Sequence, residues 1–367
     1  MQITGERGSE RGWIGQSPDL SGGLRLGDAA VGWTELEPAG RRGVHPVGDV
    51  TLTLLRDVVW FPRTGLVVTS DGRAVPSTVG AAPSLAVAVR GVPGGRADYM
   101  PPASLPVLDR ASVWLGFGAM RNYGHFLFDA MTGLTVLAAQ AAFPAVSGPL
   151  LGWQRDLLAR GGFASREVGA RAVRVRQILV PSTMNHYLHR SDGVLRDMAA
   201  RLGRPTAPGR KIVWLSRRGF SGRILINEAA IEAALAAQGA VILRPERMSV
   251  ADQVAAMADC RVLAGASGAG LANLCFLAPG ARVVEVRPAP VFDPWIELGC
   301  ANLGLGHAIV AADGPLPPAA VPFAARLRQL PRRLTGRYHF CCQADPAAVL
   351  AAITGAHQHP QAAACPV

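Results

Sequence analysis

The sequence is poor in lysine and in charged residues, and both shortages narrow the possible functions. Lys211 is the only lysine among 37 basic residues, so the Gly-Lys-Ser/Thr motif of P-loop proteins is absent. Charged residues make up 17% of the chain and hydrophobic residues 49%, which excludes a disordered chain. The net charge of +11 is nearly all arginine, whose guanidinium suits phosphates. Because no dense basic cluster occurs, we expect no nucleic-acid partner.

Signals for membrane spans, disulfides and zinc are also scarce. The longest uncharged run, Ala130–Gln154, is interrupted by glycine, proline and polar residues, so a buried helix, loop and strand explain it better than a membrane span. The six cysteines have no Cys-x-x-Cys or zinc spacing, and the N-terminus lacks the apolar core of a signal peptide. We therefore expect a cytoplasmic setting, with peripheral contact between a basic face and the inner membrane as an option.

Residues 261–287 carry the strongest chemical signal. An apolar strand ends in a small-residue turn around Gly268 and Gly270, and a helix over 271–277 and a second strand follow. Glycines at a strand-to-helix turn let backbone N–H groups approach an anion, and the helix dipole adds positive potential. Glu285, on the second strand, is placed to accept hydrogen bonds from a ribose. The turn predicts a nucleotide-phosphate site, with tight packing alone as the alternative.

A loop rich in arginine follows an earlier strand. The strand predicted at 211–215 leads into Ser-Arg-Arg-Gly-Phe-Ser-Gly-Arg at residues 216–223. Ligands of open α/β sheets bind outside the carboxyl ends of the strands, so Arg217, Arg218 or Arg223 can reach phosphates over the glycine turn. A solvated loop is the alternative for any one of these arginines.

The pattern along the chain predicts two lobes after a loosely ordered arm over 1–48. Breaker residues around 203–209 separate an acceptor-side lobe, 49–203, from a donor-side lobe, 204–367, where strands and helices alternate as in a parallel sheet wound on both faces. Residues 314–333 form a Pro- and Arg-rich excursion. Strands are predicted in the first lobe at 50–55, 65–69, 85–90, 112–115, 149–153 and 173–180. Helices are predicted at 123–141, 192–202, 227–238, 249–258 and 346–353.

A polar pair opens the helix predicted over 123–141. His125 and Asp129 are four residues apart and therefore share one face of that helix. A carboxylate can orient a neighbouring histidine, which makes His125 the first choice for a general base and Asp129 either its orienter or the base itself. A packed histidine at a polar helix start is the alternative, and Asn122 can be simply the N-cap.

Three blocks of the sequence together resemble glycosyltransferase family 61, of the type found in capsular polysaccharide biosynthesis. The blocks are Asn122–Phe126 with Asp129; 216–223 with Asn227 and Glu228; and Pro245-Glu246 with Ser249 and Gln253, then Gly265–Asn273, Pro279-Gly280 and Glu285. The resemblance implies a GT-B-like α/β fold, with two Rossmann-like lobes built on parallel sheets. It also implies inverting transfer from a nucleotide sugar, UDP-linked in our interpretation, to a glycan or lipid-linked glycan acceptor in surface polysaccharide assembly.

The resemblance and the local chemistry give one set of candidate residues. Because no Asp-x-Asp motif occurs, we expect no metal and no cofactor beyond the nucleotide-sugar substrate; arginines and a helix dipole would stabilise the departing diphosphate. The predicted catalytic residues are His125 and Asp129. The predicted donor-binding residues are Arg217, Arg218, Arg223, Asn227, Glu246, Ser267, Gly268, Ala269, Gly270, Leu271, Asn273 and Glu285.

Ser267 departs from the pattern of the family, which usually has histidine before Gly-Ala-Gly-Leu. A hydroxyl can hydrogen-bond a phosphate oxygen but cannot carry charge, so the departure bears on donor affinity or donor type. Two other functions stay open at this point. An NAD(P)-binding oxidoreductase could use the same glycine turn with Glu285, and a glycosyltransferase-fold scaffold could have lost activity.

Overall fold

The computed structural model describes residues 23–26, 33–35, 44–46, 50–69, 78, 104–116, 119–181, 192–288, 295–334 and 340–355. The chain forms two compact units, of which the first comprises Met1–Glu35 with Gly43–Arg204 and the second Leu36–Arg42 with Pro205–Val367. The acceptor-side and donor-side roles of the two halves stay predictions. Within the described ranges, no helix has both the length and the apolar character needed to cross a membrane.

A seven-stranded sheet forms the framework of the first unit. Its strands are β1 Gly23–Leu26, β4 Val50–Phe61, β5 Leu66–Val68, β6 Val107–Val113, β7 Ala145–Ser147, β8 Arg166–Glu167 and β9 Val173–Pro181. A separate antiparallel pair consists of β2 Trp33–Glu35 and β3 Val44–Pro46. Of the arm predicted over 1–48, only β1, β2 and β3 are described, so its predicted loose order is otherwise outside the described residues. The strand predicted at 85–90 also lies outside them.

This sheet is mixed, which differs from the parallel sheet predicted for the first lobe. Its order is β1-β4-β9-β6-β7-β8, with β5 beside β4. Strands β9, β6, β7 and β8 run parallel, whereas β4 pairs antiparallel with β1, β5 and β9. The short turn at residues 62–65 accounts for the antiparallel pairing of β4 with β5, because a connection of this length joins only antiparallel strands. Gly65 closes the turn with φ +71°, and a Cβ there would overlap the carbonyl oxygen of Leu115.

Among the described residues of the first unit there are three helices. Helix α1 has an α-helical turn at Tyr123–His125, a π-helical segment at Phe126–Met131 and an α-helical segment at Thr132–Leu137. Helix α2 is Gly152–Arg160 and α3 is Asp192–Arg201. The strand predicted at 149–153 is wrong, because Leu151 donates its backbone N–H to Gln154 Oε1 over 2.7 Å and so begins α2.

The second unit contains a five-stranded sheet in which every strand is parallel. The strands are β10 Lys211–Leu215, β12 Val241–Leu243, β13 Cys260–Ala266, β14 Arg282–Pro288 and β15 Gly306–Ala312, in the order β12-β10-β13-β14-β15. A small parallel pair consists of β11 Ile224–Leu225 and β16 Cys341–Cys342. The parallel sheet predicted for the second lobe is confirmed.

The winding direction of the second sheet reverses between β10 and β13. The chain passes from β10 to the edge strand β12, then returns to β13 and continues outward through β14 and β15. At such a reversal the loops after the two central strands diverge and leave a crevice between them. Here those loops are residues 216–223 and 267–270, so the topology brings the arginine loop beside the glycine turn.

The second unit also contains helices of two kinds. The α-helices are α4 Glu228–Ala237, α5 Val250–Ala258, α6 Trp295–Asn302, α7 Phe323–Leu334 and α8 Pro346–Thr354, and the 3₁₀ helices are Pro245–Arg247, Ala269–Phe276 and Pro318–Ala320. The helix expected at 271–277 is thus a 3₁₀ helix. Asn273 Nδ2 donates to the carbonyl oxygen of Gly270 over 2.9 Å, which competes with α-helical hydrogen bonding at that position. Helix α7 overlaps the excursion 314–333, for which no helix was predicted, and ends one residue beyond it.

One apolar core holds α4 and α8 against the sheet of the second unit. Ile231 and Leu235 of α4 belong to the same buried cluster as Val349 and Ile353 of α8, with Trp214 of β10. Burial of each large aliphatic side chain stabilises the fold by about 1.5–3 kcal/mol. This packing fixes the strand ends from which the two loops project.

Candidate active site

The first cluster of candidate residues lies at the start of α1. The Asn122 side-chain oxygen accepts the backbone N–H groups of Gly124 at 3.0 Å and His125 at 3.3 Å. Asn122 is therefore the N-cap of this helix, as the sequence allowed. The cap fixes the first turn of the helix and with it the backbone of His125.

His125 and Asp129 are in direct contact. His125 Nδ1 lies 2.8 Å from Asp129 Oδ2, and the histidine side chain is 27% exposed whereas the aspartate side chain is 7% exposed. An ionised carboxylate only accepts hydrogen bonds, so it fixes the proton on Nδ1 and leaves the lone pair on Nε2. The pair thus has the geometry of a base held in one tautomer by a buried carboxylate.

The helix around this pair is not a regular α-helix. Asp129 lies in the π-helical segment Phe126–Met131, and His125 is the residue before it. Single π turns occur mostly as bulges inside α-helices and are frequent at functional sites. The helical periodicity of the sequence does not distinguish this segment from a regular α-helix.

Aromatic side chains support the same helix start. The ring of Trp153 lies 5.5 Å from that of Tyr123 and 5.0 Å from that of Phe126, and Phe126 also packs edge-on against Trp114 at 5.8 Å. Aromatic pairs in this distance range stabilise by roughly 0.5–1.5 kcal/mol each beyond area burial. The histidine is therefore carried on a rigid turn.

The second cluster is the arginine loop, which a buried carboxylate holds in place. Glu228, the first residue of α4, is 3% exposed, and its Oε1 accepts the backbone N–H of Arg217 at 2.8 Å. Burial raises the pKa of Glu228 to about 6, despite the opposing hydrogen bond from Arg217. Glu228 belongs to a block of the family resemblance, but sequence reasoning gave it no role.

The Arg217 side chain lies across the loop against the glycine turn. Its Nη2 donates to the carbonyl oxygen of Gly222 over 3.3 Å, and its guanidinium carbon lies 5.1 Å from the centre of the Phe220 ring. A Cβ on Gly268 would overlap the Arg217 guanidinium, although φ 164° at Gly268 is extended backbone that any residue adopts. A side chain at position 268 would therefore displace the Arg217 guanidinium, whereas the backbone there would be unstrained.

The other two arginines of the loop have different surroundings. Arg218 is exposed and pairs with Glu232 of α4 at 3.3 Å, a contact of a kind that contributes little to stability. Arg223 is half-buried with φ +51°, an uncommon conformation for a residue with a side chain and one that clusters at functional sites. No carboxylate of the described residues lies within ion-pair distance of Arg223.

The glycine turn presents polar groups beside Arg217. Ala269 and Gly270 begin the 3₁₀ helix, and the first N–H groups of a helix have no partner within it. The backbone N–H of Ser267 donates to the carbonyl oxygen of Val286 over 2.9 Å, while its hydroxyl is buried and has no hydrogen-bond partner in the described part of the chain. Leu271, whose N–H donates to the Gly268 carbonyl oxygen over 3.0 Å, closes the turn.

The side-chain amides of two predicted donor-binding asparagines form hydrogen bonds within the second unit. Asn227 binds the backbone of Ala344 twice, donating to its carbonyl oxygen over 2.6 Å and accepting its N–H at 3.3 Å. Asn273 is wholly buried and donates to Gln253 of α5 over 3.2 Å as well as to the carbonyl oxygen of Gly270. These contacts position the loops, and direct donor binding by either amide stays a prediction.

The two predicted acidic residues differ in accessibility. Glu246 is exposed, and its Oε1 would lie 3.5 Å from a Cβ built on Gly219, so it faces the arginine loop. Glu285 is 0% exposed and has Arg287 Nη2 at 2.5 Å and His307 Nε2 at 3.3 Å from its Oε2. Burial acts to raise the pKa of Glu285, but His307 and Arg287 outweigh it and hold that pKa below its usual value.

The predicted residues thus form two groups, one in each unit. His125 and Asp129 lie in the first unit, and the donor-binding candidates lie in the second. No described residues form a group of three His, Cys, Asp or Glu side chains suited to a metal ion. Metal independence and the ribose role of Glu285 stay predictions.

One protein-family model matches the segment of the chain that carries both groups. Residues 123–284 match the family model of Glycosyltransferase 61, a span that includes the His125–Asp129 pair, the arginine loop and the glycine turn. No curated protein matches the sequence significantly. The family match covers less than half of the chain, and it identifies the protein as a glycosyltransferase.

Proposed function

We propose that this glycosyltransferase moves a sugar from a nucleotide sugar, UDP-linked, to a glycan acceptor with inversion at the anomeric carbon, in cytoplasmic assembly of a surface polysaccharide. The observation that carries the donor half of the proposal is the position of Arg217, which lies against Gly268 where β10 and β13 end. Loops at such a reversal point are where open parallel sheets bind nucleotides.

On the donor side, positive groups from both loops would hold the diphosphate. Arg217 is already oriented by Glu228 and Gly222, and Arg223 has no competing carboxylate among the described residues. The backbone N–H groups that begin the 3₁₀ helix and the buried Ser267 hydroxyl add uncharged donors. This set would stabilise the negative charge that grows on the leaving nucleoside diphosphate, with no metal in that role.

The predicted ribose role of Glu285 is untested, and the exposure of Glu246 favours a second carboxylate for that contact. Glu246 is exposed and faces the arginine loop, whereas Glu285 is wholly buried and engaged by Arg287. We therefore propose that Glu246 accepts hydrogen bonds from the ribose hydroxyls and that Glu285 supports the strand from within.

On the acceptor side, His125 is the proposed base and Asp129 its orienter. As the acceptor oxygen bonds to the anomeric carbon, His125 Nε2 takes the hydroxyl proton, and the bond to the diphosphate oxygen breaks with its electron pair leaving on the nucleotide. The Asp129 carboxylate stabilises the resulting imidazolium through the 2.8 Å contact to Nδ1. Attack from the face opposite the leaving group inverts the configuration.

Titration with UDP and with NAD, followed by calorimetry, tests the donor assignment. We expect UDP binding, and we expect Arg217→Ala to weaken it about 10- to 100-fold, since a hydrogen bond to a charged group is worth roughly 1.5–3 kcal/mol. Arg261→Ala, which removes an exposed arginine of β13, is the matched control and should bind as the wild type does. Binding of NAD in preference to UDP would contradict the proposal.

Turnover on a panel of nucleotide sugars tests the reaction itself. NMR of the product gives the anomeric configuration, and a retained configuration would refute inversion. Activity that is lost on chelation and restored by a divalent cation would refute metal independence.

A further inference from the structure

Helix α7 and its flanks form a segment whose charged residues are all arginines. Between Asp313 and Asp345 there is no acidic residue, and five arginines occur in that interval, at positions 326, 328, 332, 333 and 337. Nothing in the proposed sugar transfer uses this segment.

One face of α7 is anchored to the second unit and another is exposed. Ala325 is buried in a cluster with Val321 and Cys341, and Gln329, one turn later, donates to Cys341 Sγ over 3.2 Å. By contrast Phe323 is 68% exposed and Leu327, four residues on, is 53% exposed. Residues four apart share a helix face, so two large apolar side chains stand together in solvent.

Basic residues flank this apolar pair. Arg326 is exposed and has no ion-pair partner within the described ranges, whereas Arg328 donates to the backbone carbonyl of Arg218 in the arginine loop. We call Phe323, Arg326 and Leu327 the α7 surface. Apolar side chains beside arginines on one exposed helix are the pattern of helices that lie in a lipid interface.

We propose that the α7 surface docks the protein onto an anionic lipid membrane. Charge complementarity favours this occupant, because lipid phosphates would neutralise arginines while the acyl region accepts Phe323 and Leu327. A second copy fits less well, since pairing two α7 surfaces would bring arginine against arginine in a chain of net charge +11. Through Arg328 the docked helix would be joined directly to the proposed donor loop.

Co-sedimentation of the full chain with phosphatidylcholine vesicles, with and without phosphatidylglycerol, tests this proposal without reference to enzyme activity. We expect binding only to the anionic vesicles, weakening as salt is raised because screening shortens the range of charge attraction. Phe323→Ser with Leu327→Ser should lower the partition coefficient at least about tenfold. Arg326→Gln should lower it about fivefold, the equivalent of roughly 1 kcal/mol per arginine near the surface.

Matched controls use exposed side chains elsewhere in the second unit. Ile309→Ser with Val241→Ser removes apolar side chains that are 46% and 37% exposed, and Arg261→Gln removes an exposed arginine. These variants should bind vesicles as the wild type does.

Several results would overturn the proposal. The wild type could fail to bind anionic vesicles, or could bind neutral and anionic vesicles equally. The control variants could also lose as much vesicle binding as the α7 variants. Concentration-dependent dimerisation that Phe323→Ser abolishes, without vesicle binding, would assign the surface to a second copy instead. Because Arg326→Gln removes no apolar contact, it tests the charge requirement even if the double serine variant fails to fold.

Discussion

Replacing Glu228 by Gln separates the charge of this buried side chain from its hydrogen bond. The pKa of Glu228 is about 6 in the folded protein, raised from the ordinary 4.5 mainly by burial. A difference of about 1.5 corresponds to roughly 2 kcal/mol by which the fold favours the neutral acid. The stability it contributes is therefore full below pH 4.5 and is lost as the pH rises through 6.

Glutamine keeps an oxygen that can accept the Arg217 N–H but never ionises. We expect Glu228→Gln to gain up to about 2 kcal/mol of unfolding free energy relative to the wild type between pH 4 and pH 7.5. UDP affinity should stay within a factor of a few, since the loop keeps its anchor. Glu228→Ala, which leaves the buried N–H without its acceptor, should instead cost about 1–3 kcal/mol and weaken UDP binding.

Urea unfolding curves at a series of pH values measure the difference in unfolding free energy between the variants. Calorimetry with UDP measures whether the arginine loop still binds the nucleotide. The comparison uses the difference between variants at each pH, so titrations common to both cancel. A gap between wild type and Glu228→Gln that stays constant from pH 4 to pH 7.5 would refute the raised pKa. Equal UDP affinity in Glu228→Ala and wild type would refute the role of Glu228 in holding the loop.

Three further predictions follow from particular contacts. Gly268→Ala should displace the Arg217 guanidinium and weaken UDP binding at least about tenfold, measured by calorimetry, since a Cβ there overlaps that group. Asp129→Asn should lower kcat about 10²- to 10⁴-fold with little change in KM, because the amide no longer fixes the proton on His125 Nδ1; steady-state kinetics measure both. Arg287→Met should lower the unfolding free energy by about 3–5 kcal/mol in urea, because the buried Glu285 carboxylate loses its arginine partner and keeps only His307 beside it.

Two of these changes have a control variant, and the third has an outcome that would contradict it. Gly169→Ala adds a Cβ where no atom lies within 4 Å, so its UDP affinity should match the wild type. For Asp129→Asn, a kcat above half of the wild-type value would show that this carboxylate does not orient the base. Arg176→Met breaks an exposed pair with Asp109, 67% and 81% exposed, and should cost no more than about 1 kcal/mol. A similar cost for both arginine variants would contradict the argument from burial.

The sequence predicted the second unit well because its pattern there is regular. Strands alternate with capped helices, as where Ser249 begins α5 by accepting the Asp252 N–H, and a parallel sheet is the solution for that rhythm. Its loops could be placed at one sheet edge for the same reason. The first unit was harder, because its sheet combines parallel and antiparallel pairing, and strand composition does not determine the direction in which two strands pair.

Residue type and spacing in the sequence were enough to identify the candidate residues. The contacts that these residues make depend on how the chain packs. Spacing alone placed His125 beside Asp129 on one helix. It could not show that Glu228 holds Arg217, since a glutamate at a helix start has the same local pattern whether it faces solvent or a loop. Nor could it show that Glu285 is wholly buried, because strand periodicity does not distinguish a covered sheet face from an open strand tip.

The π-helical segment at Phe126–Met131 has a consequence for the phase of α1. Each residue turns an α-helix by about 100°, and a π turn accommodates one residue more than an α turn. Deleting one residue from this segment would rotate the first turn of α1, with His125, by about that angle relative to Thr132–Leu137. The direction of the imidazole therefore depends on the number of residues between His125 and the α-helical segment. A side-chain substitution leaves that number unchanged and cannot reproduce the rotation.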